Sequence, residues 1–134
     1  MLLSALATTA WAQKGLHIAE AFERLGHEKG CKMVEMHDTH LRGYELKTYQ
    51  SLTYRTQGSE VARLLEQDRR QARKIREVVS DGRVQSGYYM MPPLAEGTNR
   101  YVLYTQKADG SGAVIYIEGA LSPDDILKMC YKKK

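Results

Sequence analysis

Residues 59–80 read SEVARLLEQDRRQARKIREVVS, and the assignment of this stretch decides the fold. Val61, Leu65, Asp68, Ala72, Ile75 and Val79 recur at alternating steps of four and three, the spacing of residues that share one helix face. Five of the six are apolar or small, and the sixth is an aspartate. Ser59 stands at the cap position and Glu60 in the first turn, while Arg73, Lys74 and Arg76 fall toward the far end. That is the polarity a helix dipole favours. The spacing predicts one long helix from Ser59 to Ser80, ended by Asp81-Gly82.

Downstream of this helix the period changes to two. Arg83 to Met91 predicts a strand bounded by Pro92-Pro93, and Asn99 to Lys107 predicts the next. Ala108-Asp109-Gly110-Ser111-Gly112 has hairpin-turn chemistry, and Ala113 to Glu118 predicts the last strand. Ser122-Pro123-Asp124-Asp125 then opens a short helix, with serine as cap, proline first and acids in the first turn. Upstream, Leu16 to Leu25 predicts a short helix with Ile18, Ala21, Phe22 and Leu25 on one face, stopped by Gly26. Cys31 to Met36 predicts a strand, His37 to Gly43 a polar loop, and Tyr44 to Arg55 a second strand with Leu46, Thr48, Leu52 and Tyr54 on one side.

The predicted order is α-β-β-α-β-β-β-α. Short connections between consecutive strands require antiparallel neighbours. The fold class is α+β: an antiparallel sheet of about five strands with one long and two short helices packed on it.

Residues 1–12, MLLSALATTAWA, hold no charge and end in Ala10-Trp11-Ala12, a small-x-small pattern suited to signal peptidase, before the polar Gln13-Lys14-Gly15. They predict a secretory signal peptide, followed by a single domain over residues 13–134. The basic n-region usual in such segments is missing, which fits a segment cut short at its own N-terminus. The alternative is a hydrophobic first helix or strand of the fold. The apolar run is too short to span a bilayer, and no transmembrane segment is expected in the mature chain. Export to the periplasm or cell surface would permit a disulfide between Cys31 and Cys130, the two cysteines of the chain. Two separate buried thiols are the competing reading.

A net charge of +4, with 43% hydrophobic and 27% charged residues, describes an ordinary globular domain. Nucleic acid is not expected as a partner, because that would need a denser basic stripe. Arg69, Arg70, Arg73, Lys74 and Arg76 could meet an anionic surface or acidic glycan. Otherwise they are a solvated helix face with i,i+4 support.

Glu35, His37, Asp38 and His40 are metal-ligand types within six residues, so a metal-binding or hydrolytic site there is the alternative to a hydrated polar loop. Cys31 with His37 or His40 could form a thiolate pair. No Gly-x-Ser-x-Gly, His-Glu-x-x-His or phosphate-cradling loop occurs. Nothing in the sequence demands an enzyme, and it names no cofactor.

Nine tyrosines accompany one phenylalanine and one tryptophan, and their spacing puts aromatic rings on both sheet faces. Tyr88 and Tyr89 point opposite ways, as do Tyr101 and Tyr104, and Tyr116 opposes Ile115 and Ile117. Asp68 would be costly on an apolar stripe without a partner. A tyrosine hydroxyl or Arg100 is the expected donor to it. The candidate binding residues are Asp68, Tyr88, Tyr89, Arg100, Tyr104 and Tyr116, facing another envelope protein, a glycan or an anionic surface.

Several short runs carry a resemblance. Phe22, Tyr49-Gln50-Ser51-Leu52, Asp68 with Ala72 and Lys74-Ile75, Ser86-Gly87-Tyr88-Tyr89, Asn99-Arg100-Tyr101 and Ile115-Tyr116-Ile117-Glu118-Gly119 resemble a family of small exported domains of unknown function from Bacteroidetes. The resemblance implies export and an α+β fold, and it brings no activity or catalytic residues. The expectation is an exported, non-enzymatic envelope or surface interaction domain.

Overall fold

The structure, a computed structural model, describes residues 15–131, with side chains to residue 129. The expected signal peptide at 1–12 lies outside the described residues.

Among the described residues three helices and six strands follow one another. They are α1 (Ile18–Leu25), β1 (Lys32–Leu41), β2 (Tyr44–Tyr54), α2 (Gly58–Arg69), β3 (Arg73–Ser80), β4 (Arg83–Ala95), β5 (Thr98–Gln106), β6 (Gly112–Gly119) and α3 (Pro123–Tyr131). The strands form one antiparallel sheet in the order β1-β2-β6-β5-β4-β3. The α+β class and the antiparallel sheet agree with the sequence pattern, but there are six strands rather than about five.

The extra strand comes from the stretch quoted first. Its helix stops at Arg69, with Gln71 N–H donating to Asp68 O and Ala72 N–H to Arg69 O as the chain turns. Residues 73–80 then form the edge strand β3. Ile75, Val78 and Val79 are β-branched and suit a pleated strand better than a helix. Asp81 and Gly82 both adopt positive φ (+53° and +76°), as a two-residue type I′ hairpin requires. What resembled a helix stop is a hairpin tip. Two further boundaries move. The expected loop at 37–43 is mostly strand, since β1 runs to Leu41 and turns through Arg42 and Gly43 at φ +52° and +88°. Strand β4 continues through Pro92-Pro93 to Ala95, with its register against β5 shifting between Met91 and Ala95.

Two cores sit on the two sheet faces. On one, Leu52, Tyr54, Tyr89, Val102, Tyr104 and Tyr116 pack under α1 and α2. On the other, Tyr101, Leu103 and Ile117 pack with Leu121, Ile126 and Met129 from the α3 region, while Tyr44, Tyr49 and Tyr88 are only partly buried at its margin. The tyrosines thus take opposite faces as their spacing requires. Ser122 Oγ accepts from Asp125 N–H while Asp125 Oδ2 accepts from Ser122 N–H, a capping box that starts α3 as the sequence indicates. No helix among the described residues is long and apolar enough to cross a membrane.

Candidate functional site

Asp68 is fully buried at the last turn of α2. Its Oδ1 accepts from His17 N–H at 2.7 Å and its Oδ2 from Ile18 N–H at 2.8 Å. The expected donors, a tyrosine hydroxyl or Arg100, are therefore replaced by two backbone amides. The reason is that the first helical N–H groups of α1 have no partner of their own, and His17 provides no side-chain cap. At the other end of the pair, Arg24 of α1 bridges to Glu60 in the first turn of α2. The two helices are antiparallel and tied at both ends. Burial raises the Asp68 carboxyl above its ordinary range, against the opposing pull of the His17 and Ile18 amides and of Arg100.

Arg100 is buried nearby and donates from Nε to Pro92 O at 2.7 Å. It sits directly across from Glu118 in the β5–β6 ladder, and Glu118 Oε1 accepts from the Tyr116 hydroxyl at 3.3 Å. Asp68, Arg100 and Tyr116 are thus neighbours, but in a closed polar network under the helices. Its buried charges have counter-charges and bonds, as interior charges must. Both Asp68 oxygens are occupied by amides, which leaves that carboxylate a structural clasp.

The other candidates divide. Tyr88 lies at the margin of the second face. Tyr89 and Tyr104 share the helix-covered face with an open groove that exists because α2 ends at Arg69. A helix running on to Ser80 could have covered the outer strands; instead that sequence is itself the outermost strand, and hollows are left between α2 and the β3–β4 hairpin.

The main hollow of this groove holds about 390 Å³ and is floored by Ala62, Leu65, Val84 and Tyr104, with Arg69 and Arg83 at its rim. A second hollow of about 260 Å³ shares Glu66 and Arg69 and reaches Arg70, Glu77 and Tyr89. A third of about 270 Å³ shares Arg83 and Val84 and runs to the hairpin tip. The three form one trough.

The second hollow is lined by a fixed ionic cluster. The Tyr89 hydroxyl donates to Glu77 Oε2 at 2.6 Å. Arg69 bridges to the same carboxylate at 2.8 Å and to Glu66, and its guanidinium stands 5.9 Å from the Tyr89 ring centre, within cation–π range. Lys74 approaches the other Glu77 oxygen at 3.6 Å. Burial alone would raise the Glu77 carboxyl, but the Tyr89 hydroxyl with Arg69 and Lys74 outweighs it and holds the group below its ordinary range. Burial, together with Glu77, pushes the Tyr89 hydroxyl up, and burial pushes Tyr104 up to about 12. Neither phenol ionises near neutral pH. A Cβ on Gly87 would overlap the Tyr89 hydroxyl and ring, so only glycine lets this ring lie across the strand to reach Glu77. Arg70 and Arg83, by contrast, make no ion pair or side-chain hydrogen bond among the described residues. Tyr89 and Tyr104 were among the sequence candidates, whereas Ala62, Leu65, Glu77, Arg83 and Val84 were not. The Asp81-Gly82 dipeptide was the signal that could have placed them there.

The Glu35, His37, Asp38 and His40 group lies on β1, not in a loop. His37 Nε2 and Glu35 Oε2 are 2.9 Å apart on the surface, while Asp38 at φ +49° distorts the strand before His40. Among the described residues no three His, Cys, Asp or Glu side chains converge as a metal site would need. Cys31 carries a free, half-buried thiol packed on the core under α1 and α2. The helix bearing Cys130 lies on the opposite sheet face, and the Cys130 side chain is outside the described residues.

Neither the curated proteins nor the solved structures offer a match to this chain. A family model described as a family of unknown function (DUF6108) matches residues 5–130, nearly the whole chain, and the protein belongs to that family.

Proposed function

We propose that this is an exported, non-enzymatic binding domain of a Bacteroidetes cell envelope, and that its ligand surface is the trough between α2 and the β3–β4 hairpin. The observation that carries the reading is the trough itself: an open, concave surface of mixed polar and aliphatic lining with two unengaged guanidinium groups. Concave surfaces with convergent polar groups are where ligand sites are usually found. The titratable groups with good geometry, Asp68, Glu77 and Tyr89, are committed to one another or to backbone amides. That arrangement favours a rigid binding surface over proton transfer, which needs a group free to exchange. Export is supported by the uncharged run and small-x-small pattern of residues 1–12.

Two measurements test this. Backbone amide spectra recorded with a fragment library should show shifts clustered at Ala62, Arg69, Val84 and Tyr104; shifts confined to other surfaces would discard the trough. For export, the full chain produced in a Gram-negative host should be recovered outside the cytoplasm with a mass lacking residues 1–12. A cytoplasmic product that keeps them would discard that part.

A further inference from the structure

We infer that the trough accepts an extended acidic polypeptide segment, with apolar side chains turned to its floor and carboxylates turned to Arg70 and Arg83. The inference rests on the trough being the ligand surface, and it names the class of partner.

Shape gives the first argument. The three hollows join end to end through Glu66 with Arg69 and through Arg83 with Val84. A linear trough suits a chain better than a compact small molecule. In an extended chain alternate side chains point the same way, about 6.6 Å apart, so one set can face the floor while the other reaches the rim.

Charge gives the second. Of the carboxylates lining the trough, Glu66 and Glu77 are held by Arg69, and Asp81 at the hairpin tip is outnumbered by Arg83 and Lys107 in the same hollow, so the lining keeps an excess of positive charge. Arg70 and Arg83, in different hollows, remain without partners among the described residues. Guanidinium groups pair bidentately with carboxylates.

The floor excludes the main rivals. Glycans and single-stranded nucleic acids bind on exposed aromatic faces. Here Tyr89 is 1% and Tyr104 2% exposed, so neither ring offers a stacking platform. Ala62 and Val84, both partly exposed, supply aliphatic surface instead, which apolar side chains of a peptide would bury.

Fluorescence polarisation with a labelled peptide of alternating glutamate and leucine tests the inference directly. It should bind, and more weakly as salt rises. A matched glutamine–leucine peptide should bind several-fold less tightly. Arg70→Glu and Arg83→Glu should each weaken binding about two- to fivefold, as rim charge pairs do, without lowering Tm, since both side chains are exposed. The inference is overturned if the glutamine peptide binds equally, if the charge reversals have no effect, or if inorganic triphosphate competes as well as the peptide. Amide spectra separate the two levels of failure. If the acidic peptide does not bind while neutral fragments still shift trough amides, the peptide class falls and the trough stands. If it binds but shifts amides elsewhere, both fall.

Discussion

Replacing Asp68 by asparagine tests what the one polar position on the α2 stripe does. The side chain keeps its size, so packing is nearly unchanged. Its amide oxygen can still accept one of the two N–H groups, now 2.7 and 2.8 Å from the carboxylate. The amide nitrogen must face the other as a second donor. Ile18 is 0% exposed, so water cannot replace a bond lost there, whereas His17 is exposed and its N–H can be rehydrated. One charge-assisted bond is lost and part of the carboxylate desolvation is relieved, for a net cost of about 1–2 kcal/mol. For a domain of this size that corresponds to a Tm lower by roughly 3–10 °C. Asp68→Leu, which serves neither amide, should be less stable than the asparagine variant. Thermal and urea unfolding followed by circular dichroism would measure both, and hydrogen exchange should show the first turn of α1 opening before the sheet. If both variants melt at or above the wild-type temperature, no buried acceptor is needed and the clasp is refuted.

The same pair has a pH signature. Burial raises the folded-state pKa of Asp68 above its ordinary value. A raised carboxyl contributes fully below the unfolded pKa and loses that contribution as pH climbs through the folded value. The stability gap between wild type and the asparagine variant should therefore be widest in acid and narrow as pH rises. A gap that widened with pH would show the amide bonds outweighing burial.

Tyr89→Phe removes the hydroxyl that helps hold Glu77 below its ordinary range. The Glu77 carboxyl should then titrate at higher pH by carbon NMR, and the acid limb of unfolding, where its contribution is lost, should move up with it; an unshifted titration would mean Arg69 and Lys74 suffice. Gly82→Val forces a β-branched residue to φ +76° at the hairpin tip and should cost about 1–2 kcal/mol, a loss absent if residues 70–82 were helical up to a flexible end. Zinc should leave Tm unchanged, since no three ligands converge among the described residues; a rise abolished by His37→Ala with His40→Ala would establish the metal site after all.

Elements with a single consistent pattern were legible from residues alone. Helix α1, with Ile18, Ala21, Phe22 and Leu25 inward, shows one periodicity and one stop signal. Strand β2 alternates in burial, with Thr48, Leu52 and Tyr54 buried as expected, although Leu46 packs with the α3-side core rather than with Leu52 and Tyr54. The 59–80 stretch carries two patterns at once. Ala72, Ile75 and Val79 extend the helix face begun by Val61, Leu65 and Asp68, yet Ile75, Val78 and Val79 also suit a strand. Local spacing cannot choose between them. The choice is made by β4, whose outer edge β3 pairs along most of its length, and by Asp81-Gly82, whose left-handed pair closes a hairpin. The burial of Asp68 was foreseeable from its place on the stripe. Its partners were not, because they are main-chain groups fifty residues away with no side-chain signature.

Asp68 and the trough are consequences of one event, the end of α2 at Arg69. A helix continuing past that point would extend the Ala72 and Ile75 face over the outer sheet, and a carboxylate in its middle would interrupt a packed seam. By stopping, α2 brings its last turn beside the first turn of α1, so that Asp68 meets unpaired amides instead of aliphatic neighbours. The residues released from the helix become an edge strand whose Glu77 anchors Arg69 and Tyr89 across the gap. The gap is thereby walled on one side by a helix clasped to its neighbour and on the other by a hairpin, with a fixed ionic cluster between them. A surface held from both sides in this way is pre-organised, which lowers the ordering cost a ligand would otherwise meet. The Asp68 variants thus bear on function as well as stability. Loosening the clasp should weaken peptide binding in the trough even though Asp68 touches none of it, and binding unchanged by a destabilised clasp would separate the two features.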